Sequence, residues 1–259
     1  MRGEHFTLAQ GQTLAQRLIV ELSRPDYFNR QINQAYVMTD LPSTLLPLEN
    51  FRREEAASVY RFAVGSAFQN VRVAYSIMPH LETVEVFGIQ PDVEEAILQF
   101  YPTARFFGTQ AMLLERLMRH ETETVATGDT SHRLYCLTAP LRLYAITDGR
   151  ITFANSFDTA SVADAAFFTL AVWKQLGLDA LTDTLQLLAP HPSNPSNPST
   201  PSNPSNPSTP STPSNLIQEL APYLANIAVL KPQELFVGAP LSKEQQLPLP
   251  LMALLLNRY

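Results

Sequence analysis

Three strand-like runs follow one another in residues 133–157, RLYCLTAPLRLYAITDGRITFANSF. Alternate positions share one face in the second run, at Leu141, Leu143 and Ala145, and in the third, at Ile151, Phe153, Asn155 and Phe157. Such alternation is typical of strands with one buried face. Asp148-Gly149, between these two runs, is a preferred pair for a two-residue hairpin. The stretch therefore predicts an antiparallel meander of strands 133–138, 141–147 and 151–157.

A helix is predicted directly after the meander, over residues 162–176. Ser161 and Asp164 form a capping pair at its start, and Gly177 with Leu178 resembles a Schellman stop. Apolar side chains recur at helical spacing, at Val162, Ala165, Phe168, Val172 and Leu176. A second set widens this stripe, at Phe167, Leu170 and Trp173. We therefore expect the helix to be largely enclosed by protein.

The pattern continues to the end of the chain with one interruption. A strand is expected at 184–188, a helix from Leu216 to about Ile227, and a short strand at 234–238. Pro222 either kinks that helix or marks its first turn. The element order from residue 133 is thus β-β-β-α-β-α-β.

The interruption is a low-complexity insert at residues 191–215. Proline occupies every third position from Pro192 to Pro213, with Ser, Asn and Thr between. This composition cannot build a core and predicts a disordered or extended spacer. One interpretation is a recognition segment for an aromatic groove. The other, which we favour, is a neutral repeat expansion, because loops accept insertions at small entropic cost.

Upstream, the same alternation of elements is present. Strands are predicted at 17–22, 35–40, 72–78, 83–89 and 105–108, and helices at 52–64, from Pro91 to before Pro102, and at 110–119. A Glu/Thr-rich break at 121–131 separates the halves. We therefore predict two domains, 1–125 and 126–259. The fold class expected is α/β with a duplicated ribonuclease-H-like, actin-like architecture, each half having a mixed sheet and flanking helices.

Composition limits the classes of partner. The net charge of −6 gives no basic surface for nucleic acid. The only cysteine is Cys136, which suits a reducing compartment, and no signal-peptide pattern precedes residue 20, so we expect a cytoplasmic protein. The most apolar stretch, 247–256, is too short for a transmembrane helix and is expected to dock on the core.

Two motifs carry a resemblance to a known family. They are LPSTLLPLENF at residues 41–51, and NSFDT at 155–159 continuing to WKQLGLD at 173–179. They resemble an uncharacterised family, found mainly in Bacteroidetes and known only as a domain of unknown function. The resemblance covers nearly the whole chain except the insert. It implies a divergent actin-like ATPase fold, similar to pilus-assembly and secretion-platform proteins that bind partner segments, with or without nucleotide. It implies no reaction.

The residues expected for common chemistries do not come together in the sequence. An actin-type ATPase needs glycine-rich phosphate turns, but the corresponding positions read SRPD at 23–26 and TAPL at 138–141. A nuclease needs converging carboxylates, and the first predicted strand has only Glu21. His132 and Cys136 lie about 13 Å apart along a strand, too far for a dyad. We predict no catalytic residue, no metal site and no cofactor.

Three polar residues at the strand–helix junction need an explanation: Asn155, Asp158 and Thr159. They either satisfy exposed amides there or form a patch that faces a partner. Our leading hypothesis is a non-catalytic actin-like scaffold that binds another protein. The alternatives are an ATP-binding, partner-switching protein of the same fold and a metal-dependent nuclease of ribonuclease-H-like fold.

Overall fold

The computed structural model describes residues 7–24, 34–65, 68, 70–126, 131–138, 140–188, 213–236 and 249–256. Its backbone contacts divide the chain into two units, Met1–Glu115 and Arg116–Tyr259. Helices and strands occur in both, so the protein is mixed α/β as predicted. Within the described residues, no helix is long and apolar enough to cross a membrane.

The first unit contains two small sheets. Its strands are β1 (Tyr36–Met38), β2 (Ser43–Pro47), β3 (Arg72–Met78), β4 (Thr83–Ile89) and β5 (Arg105–Phe107). Its helices are α1 (Leu14–Leu22), α2 (Ala56–Val64), α3 (Pro91–Phe100) and α4 (Ala111–Ala126), which continues into the second unit. Strand β4 pairs antiparallel with β2 and β3 and is buried throughout, whereas β1 pairs parallel with β5. The strands predicted at 72–78 and 83–89 are confirmed.

Helix α1 replaces the strand predicted at 17–22. Thr13 and Gln16 form a reciprocal capping box that starts the helix, and Arg17 and Glu21 form an ion pair one turn apart. The stretch at 18–22, which is apolar except for Glu21, suits either element, and these local polar interactions favour the helix. The strand prediction is therefore wrong.

A buried carboxylate fixes the start of α4. Glu85, on β4, has no exposed surface, and it accepts hydrogen bonds from the backbone N–H groups of Gln110 (3.1 Å) and Ala111 (2.8 Å). These donors are at the positive end of the helix dipole, which favours a negative charge. Gln110 also donates to Ser43 Oγ, in the LPSTLLPLENF motif. The helix then continues through Ala126, into the stretch where a break was predicted.

The second unit is built on a five-stranded sheet. Its strands are β6 (Arg133–Thr138), β7 (Leu141–Thr147), β8 (Arg150–Phe157), β9 (Thr184–Leu188) and β10 (Asn226–Leu230), in the spatial order β10-β9-β6-β7-β8. The predicted meander is antiparallel, and β9 and β10 run parallel to β6. Positive φ angles at Asp148 (51°) and Gly149 (73°) confirm the predicted hairpin.

A bulge interrupts β8. Ala145 pairs with Phe153, but Ile146 pairs with Ile151, so Thr152 is an extra residue in this strand. One extra residue reverses the alternation of side chains. Ile151 therefore lies beside Ile146, and the prediction that it shares the face of Phe153 is wrong.

Helix α5 (Val162–Gln175) covers one face of this sheet. Ser161 caps it, accepting from Asp164 N, and the Leu178 N–H donates to Trp173 O, as in a Schellman motif. Ala165, Val172 and Trp173 pack into the core. Phe167, however, is 66% exposed, so the prediction of a largely enclosed helix is wrong for its outer face.

The end of the second unit differs from the prediction. Helix α6 (Pro213–Leu220) begins within the predicted insert and stops before Pro222, which lies in a turn, because proline lacks the N–H needed to continue a helix. The final strand is β10, and Pro232–Leu235 forms the short helix α7 where a strand was predicted. Helix α8 (Leu249–Leu256) is largely buried. Residues 191–212 of the insert lie outside the described residues.

Candidate functional site

The carboxyl edge of the second sheet gathers the polar residues singled out in the sequence. Strand β8 is antiparallel to β7 and therefore runs in the same direction as β6, β9 and β10. The carboxyl ends of these four strands lie at one edge, where α/β proteins commonly place their binding sites. Thr138 ends β6 there, and Asp158 and Thr159 connect β8 to α5.

Asn155, Asp158 and Thr159 form a largely exposed junction. Asn155 is exposed, and its Oδ1 accepts from the Ser156 N–H at 2.8 Å. Asp158 is also exposed and makes no side-chain hydrogen bond with any described residue, while Thr159 is half-buried. Next to them the rings of Phe157 and Phe168 stack with centroids 4.8 Å apart. The junction thus combines exposed polar groups with a stacked pair of aromatic rings.

The turn between β6 and β7 does not suit a nucleotide phosphate. Thr138 and Leu141 pair across the ladder and are 3% and 0% exposed. Only Ala139 and Pro140 lie between them, and proline has no N–H to donate. Phosphate loops need several backbone N–H groups and glycines that allow close approach. The residues of the β6–β7 turn therefore do not fit a nucleotide phosphate.

The other predicted phosphate position, at residues 23–26, is also unsuited to phosphate. Ser23 caps the carboxyl end of α1, and Arg24 forms an ion pair with Glu21 at 2.8 Å. A helix carboxyl end carries the negative pole of its dipole and disfavours an anion. Pro25 and Asp26 lie outside the described residues.

The remaining candidate groups are occupied or separated. Glu21 is on a helix, 6% exposed, and ion-paired with Arg17 and Arg24, so it does not extend from a sheet strand as a nuclease ligand would. Cys136 has no exposed surface, and burial raises the pKa of its thiol to about 12. No group of three His, Cys, Asp or Glu side chains suited to a metal occurs in the described part of the chain.

A second polar site lies at the opposite, amino edge of this sheet. Asp183, 6% exposed, accepts from the backbone N–H groups of His132 (3.0 Å) and Asp179 (2.7 Å). Its Oδ1 also lies 3.3 Å from Nδ1 of His132, whose side chain is 62% exposed. His132 lines two open clefts of about 350 and 270 Å³. No described nucleophile hydrogen-bonds to this imidazole, so the site orients a histidine without completing a dyad.

A buried ionic cluster borders the larger cleft. Glu121 Oε1 accepts from Arg133 Nη1 at 2.8 Å, and Oε2 accepts from the Tyr135 hydroxyl at 2.5 Å. Burial, together with the negative charge of Glu121, raises the pKa of Tyr135 well above its ordinary value, and burial lowers the pKa of nearby His120. Glu121 thus links α4 to β6, because one of its carboxylate oxygens binds Arg133 and the other binds Tyr135.

Neither the His132–Asp183 pair nor the Glu121 cluster was predicted from the sequence. His132 and Asp183 are 51 residues apart, and the bond exists because each directly precedes one of two parallel strands, β6 and β9. The register pairs Arg133 with Thr184, which sets the preceding residues side by side. A polar residue before each of two neighbouring parallel strands is the signal that would have found the His132–Asp183 pair.

Comparisons with known proteins give a family and a fold. A family model described as "Protein of unknown function (DUF3822)" matches residues 4–193. No curated protein matches the chain. A crystal structure from Bacteroides thetaiotaomicron VPI-5482, described as a protein with actin-like ATPase fold and unknown function, aligns with a TM-score of 0.67 at 20% identity. The alignment covers 88% of this chain and 81% of that one, so the two share a fold.

Proposed function

Since the chain belongs to the DUF3822 family, whose function is unknown, we propose that it is a non-catalytic actin-like scaffold that binds another protein in the cytoplasm. The proposal takes the chain as two ribonuclease-H-like halves, 1–125 and 126–259, that keep the fold of an ATPase without its phosphate loops. Function in such folds depends on the groups at the site.

The β6–β7 turn is the observation that carries this proposal. Thr138 and Leu141 are buried and paired, so the turn cannot open to receive a phosphate without breaking the ladder. The turn also lacks glycine, and Pro140 removes one of the two amides available between the strands. A scaffold has no need of this loop, whereas an ATPase does.

The junction of β8 and α5 is the surface that supports protein binding. Asp158 has no hydrogen-bond partner among the described residues, and Asn155 satisfies only its neighbour's amide. The rim of a protein interface is polar and solvent-accessible, and the exposed groups of this junction match that composition. We assign this junction, Asn155, Asp158 and Thr159, as the partner-facing patch.

Thermal unfolding with and without excess Mg-ATP tests the loss of nucleotide binding. A ligand present at about 100 times its Kd stabilises a protein by about 2.7 kcal/mol, which raises Tm by several degrees. We expect no shift with Mg-ATP or Mg-ADP. A magnesium-dependent shift would instead support the ATP-binding, partner-switching alternative.

Site-specific photo-crosslinking in the source cells tests the patch. A photoreactive amino acid placed at Asp158 should give a discrete protein adduct. The same substitution at Asp148, which is also exposed but lies in the hairpin at the opposite edge of the sheet, is the matched control. Equal adducts from both positions, or none from Asp158, would remove the assignment of the patch.

A further inference from the structure

The outer face of α5 has an unusual composition. Its exposed residues are Ala163, Phe167, Ala171, Lys174 and Gln175. At about 100° per residue these positions fall on one side of the helix, opposite the side buried on the sheet. A single large ring, 66% exposed, therefore stands between two alanines on a surface that packs against no described element.

Phe167 is held in position by the protein beneath it. Its ring lies edge-on to Phe168, with centroids 5.5 Å apart, and Phe168 stacks on Phe157 of β8 at 4.8 Å. A ring fixed in this way loses little side-chain freedom on binding, which is a property of interface anchors. Exposed alanines on either side allow another helix to approach closely.

The charges on this face are self-complementary. Asp164, in the first turn, uses Oδ2 to accept from Ala160 N and makes no ion pair with a described residue. Lys174, in the last turn, likewise makes no ion pair with a described residue. Asp164 and Lys174 lie at equal distances from position 169 along the helix, as do Phe167 and Ala171.

We propose that this face binds a second copy of the chain, through antiparallel pairing of two α5 helices about a two-fold axis near position 169. In this register Phe167 packs against Ala171 of the other copy, and Asp164 meets Lys174 of the other copy, twice each by symmetry. Like charges would meet if the helices were parallel. The inference goes beyond the proposed function and does not depend on it.

One helix pair buries less surface than a standard interface of about 1,600 Å². The dimer is therefore weak and concentration-dependent. Sedimentation velocity of the full chain, from low micromolar to near-millimolar concentration, should show reversible association. Phe167→Ser should weaken it by about tenfold or more, because an anchor of this kind carries most of the binding energy.

Two further sets of variants test whether Phe167→Ser weakens association through this face or only by removing exposed apolar surface. Phe62→Ser is the matched control, because Phe62 is also an exposed helical phenylalanine, 94% exposed, in the first unit. It should leave the dimer unchanged. Lys174→Glu should weaken the dimer by placing like charges together, and the double variant Asp164→Lys with Lys174→Glu should restore it.

The double variant distinguishes a contact between copies from a role inside one copy. It loses the Asp164 bond to Ala160 N, so its Tm should fall while its association recovers. Circular dichroism confirms that each variant is folded. The proposal would be overturned if the wild-type chain stayed monomeric at the highest concentration. It would also be overturned if Phe62→Ser and Phe167→Ser weakened association equally, or if the double charge variant failed to restore association.

Discussion

Glu85 shows how a single buried carboxylate determines the residue beside it. A Cβ atom at Gly108 would lie far inside contact distance of the Glu85 carboxyl group. That carboxylate cannot move away without abandoning the Gln110 and Ala111 amides at the start of α4. Gly108 is therefore needed for space, and the need comes from a residue 23 positions earlier in the sequence.

Gly108→Ala should lower the free energy of unfolding by about 1–3 kcal/mol, because the displaced carboxylate leaves buried N–H groups unpaired. Urea denaturation measures this loss. In a Glu85→Ala background the same substitution should cost much less, since the obstructing group is gone. Equal costs in the two backgrounds would show that Gly108 acts through something other than Glu85.

Cys136 predicts a pH dependence of stability. Burial raises the pKa of its thiol from 9.0 to about 12, so the unfolded chain loses this proton before the folded chain does. Stability present below about pH 9 should therefore fall as the pH rises toward about 12, by up to about 1.4 kcal/mol per pH unit. The substitution Cys136→Ala removes the contribution of this thiol to the pH dependence and leaves the tyrosines unchanged.

The measurement is the free energy of unfolding of wild type and Cys136→Ala between about pH 7 and about pH 10. Wild type should be more stable at neutral pH, because the substitution leaves a small cavity. That advantage should narrow as the pH rises above about 9. An advantage that stays constant across the range would mean that the thiol titrates alike in both states.

At the scale of elements, the β7–β8 hairpin depends on backbone conformation more than on packing. Gly149 has φ +73°, and a Cβ there would meet only Met118 at an ordinary 3.6 Å. Gly149→Ala should therefore cost about 1–2 kcal/mol, from strain in the left-handed region alone. Thermal unfolding measures it.

Asp148→Asn is the control for the hairpin, because asparagine also accepts a positive φ and should leave Tm almost unchanged. A large loss from Asp148→Asn would assign the carboxylate a role of its own. An unchanged Tm for Gly149→Ala would mean that the turn can adopt another type.

The elements that the sequence predicted well are those defined by near neighbours. Strands β6 to β9 and the capped start of α5 follow from alternation, a turn pair and a cap within a few residues. Strand β10 was missed because the spacing of Leu224 and Ile227 was interpreted as a continuation of the preceding helix, whereas the strand pairs with β9, which is distant in sequence. Helix α1 was missed because the stretch containing Ile19 and Val20 was interpreted as a strand without regard to the capping box at Thr13 and Gln16. The bond between His132 and Asp183 required the sheet register itself.

At the scale of the whole molecule, the two units differ in how their described strands pair. The second has one five-stranded sheet, and the first has a three-stranded and a two-stranded sheet. The connection from β9 to α6 is where the second unit carries its proline-rich segment. Strand β9 ends at Leu188 and α6 begins at Pro213, whose missing N–H suits a first helical turn.

Removing residues 195–206, four proline triplets, should leave the second unit folded with a nearly unchanged Tm. Halving a long loop changes its closure free energy by only about 0.6 kcal/mol, in the stabilising direction. Removing Pro213, Ser214 and Asn215 is the matched control, since it deletes one triplet-length segment from the start of α6, next to fully buried Leu216. That shorter deletion should lower Tm by several degrees. If the longer deletion is the more damaging, the repeat contributes contacts to the fold, and its interpretation as a neutral expansion fails.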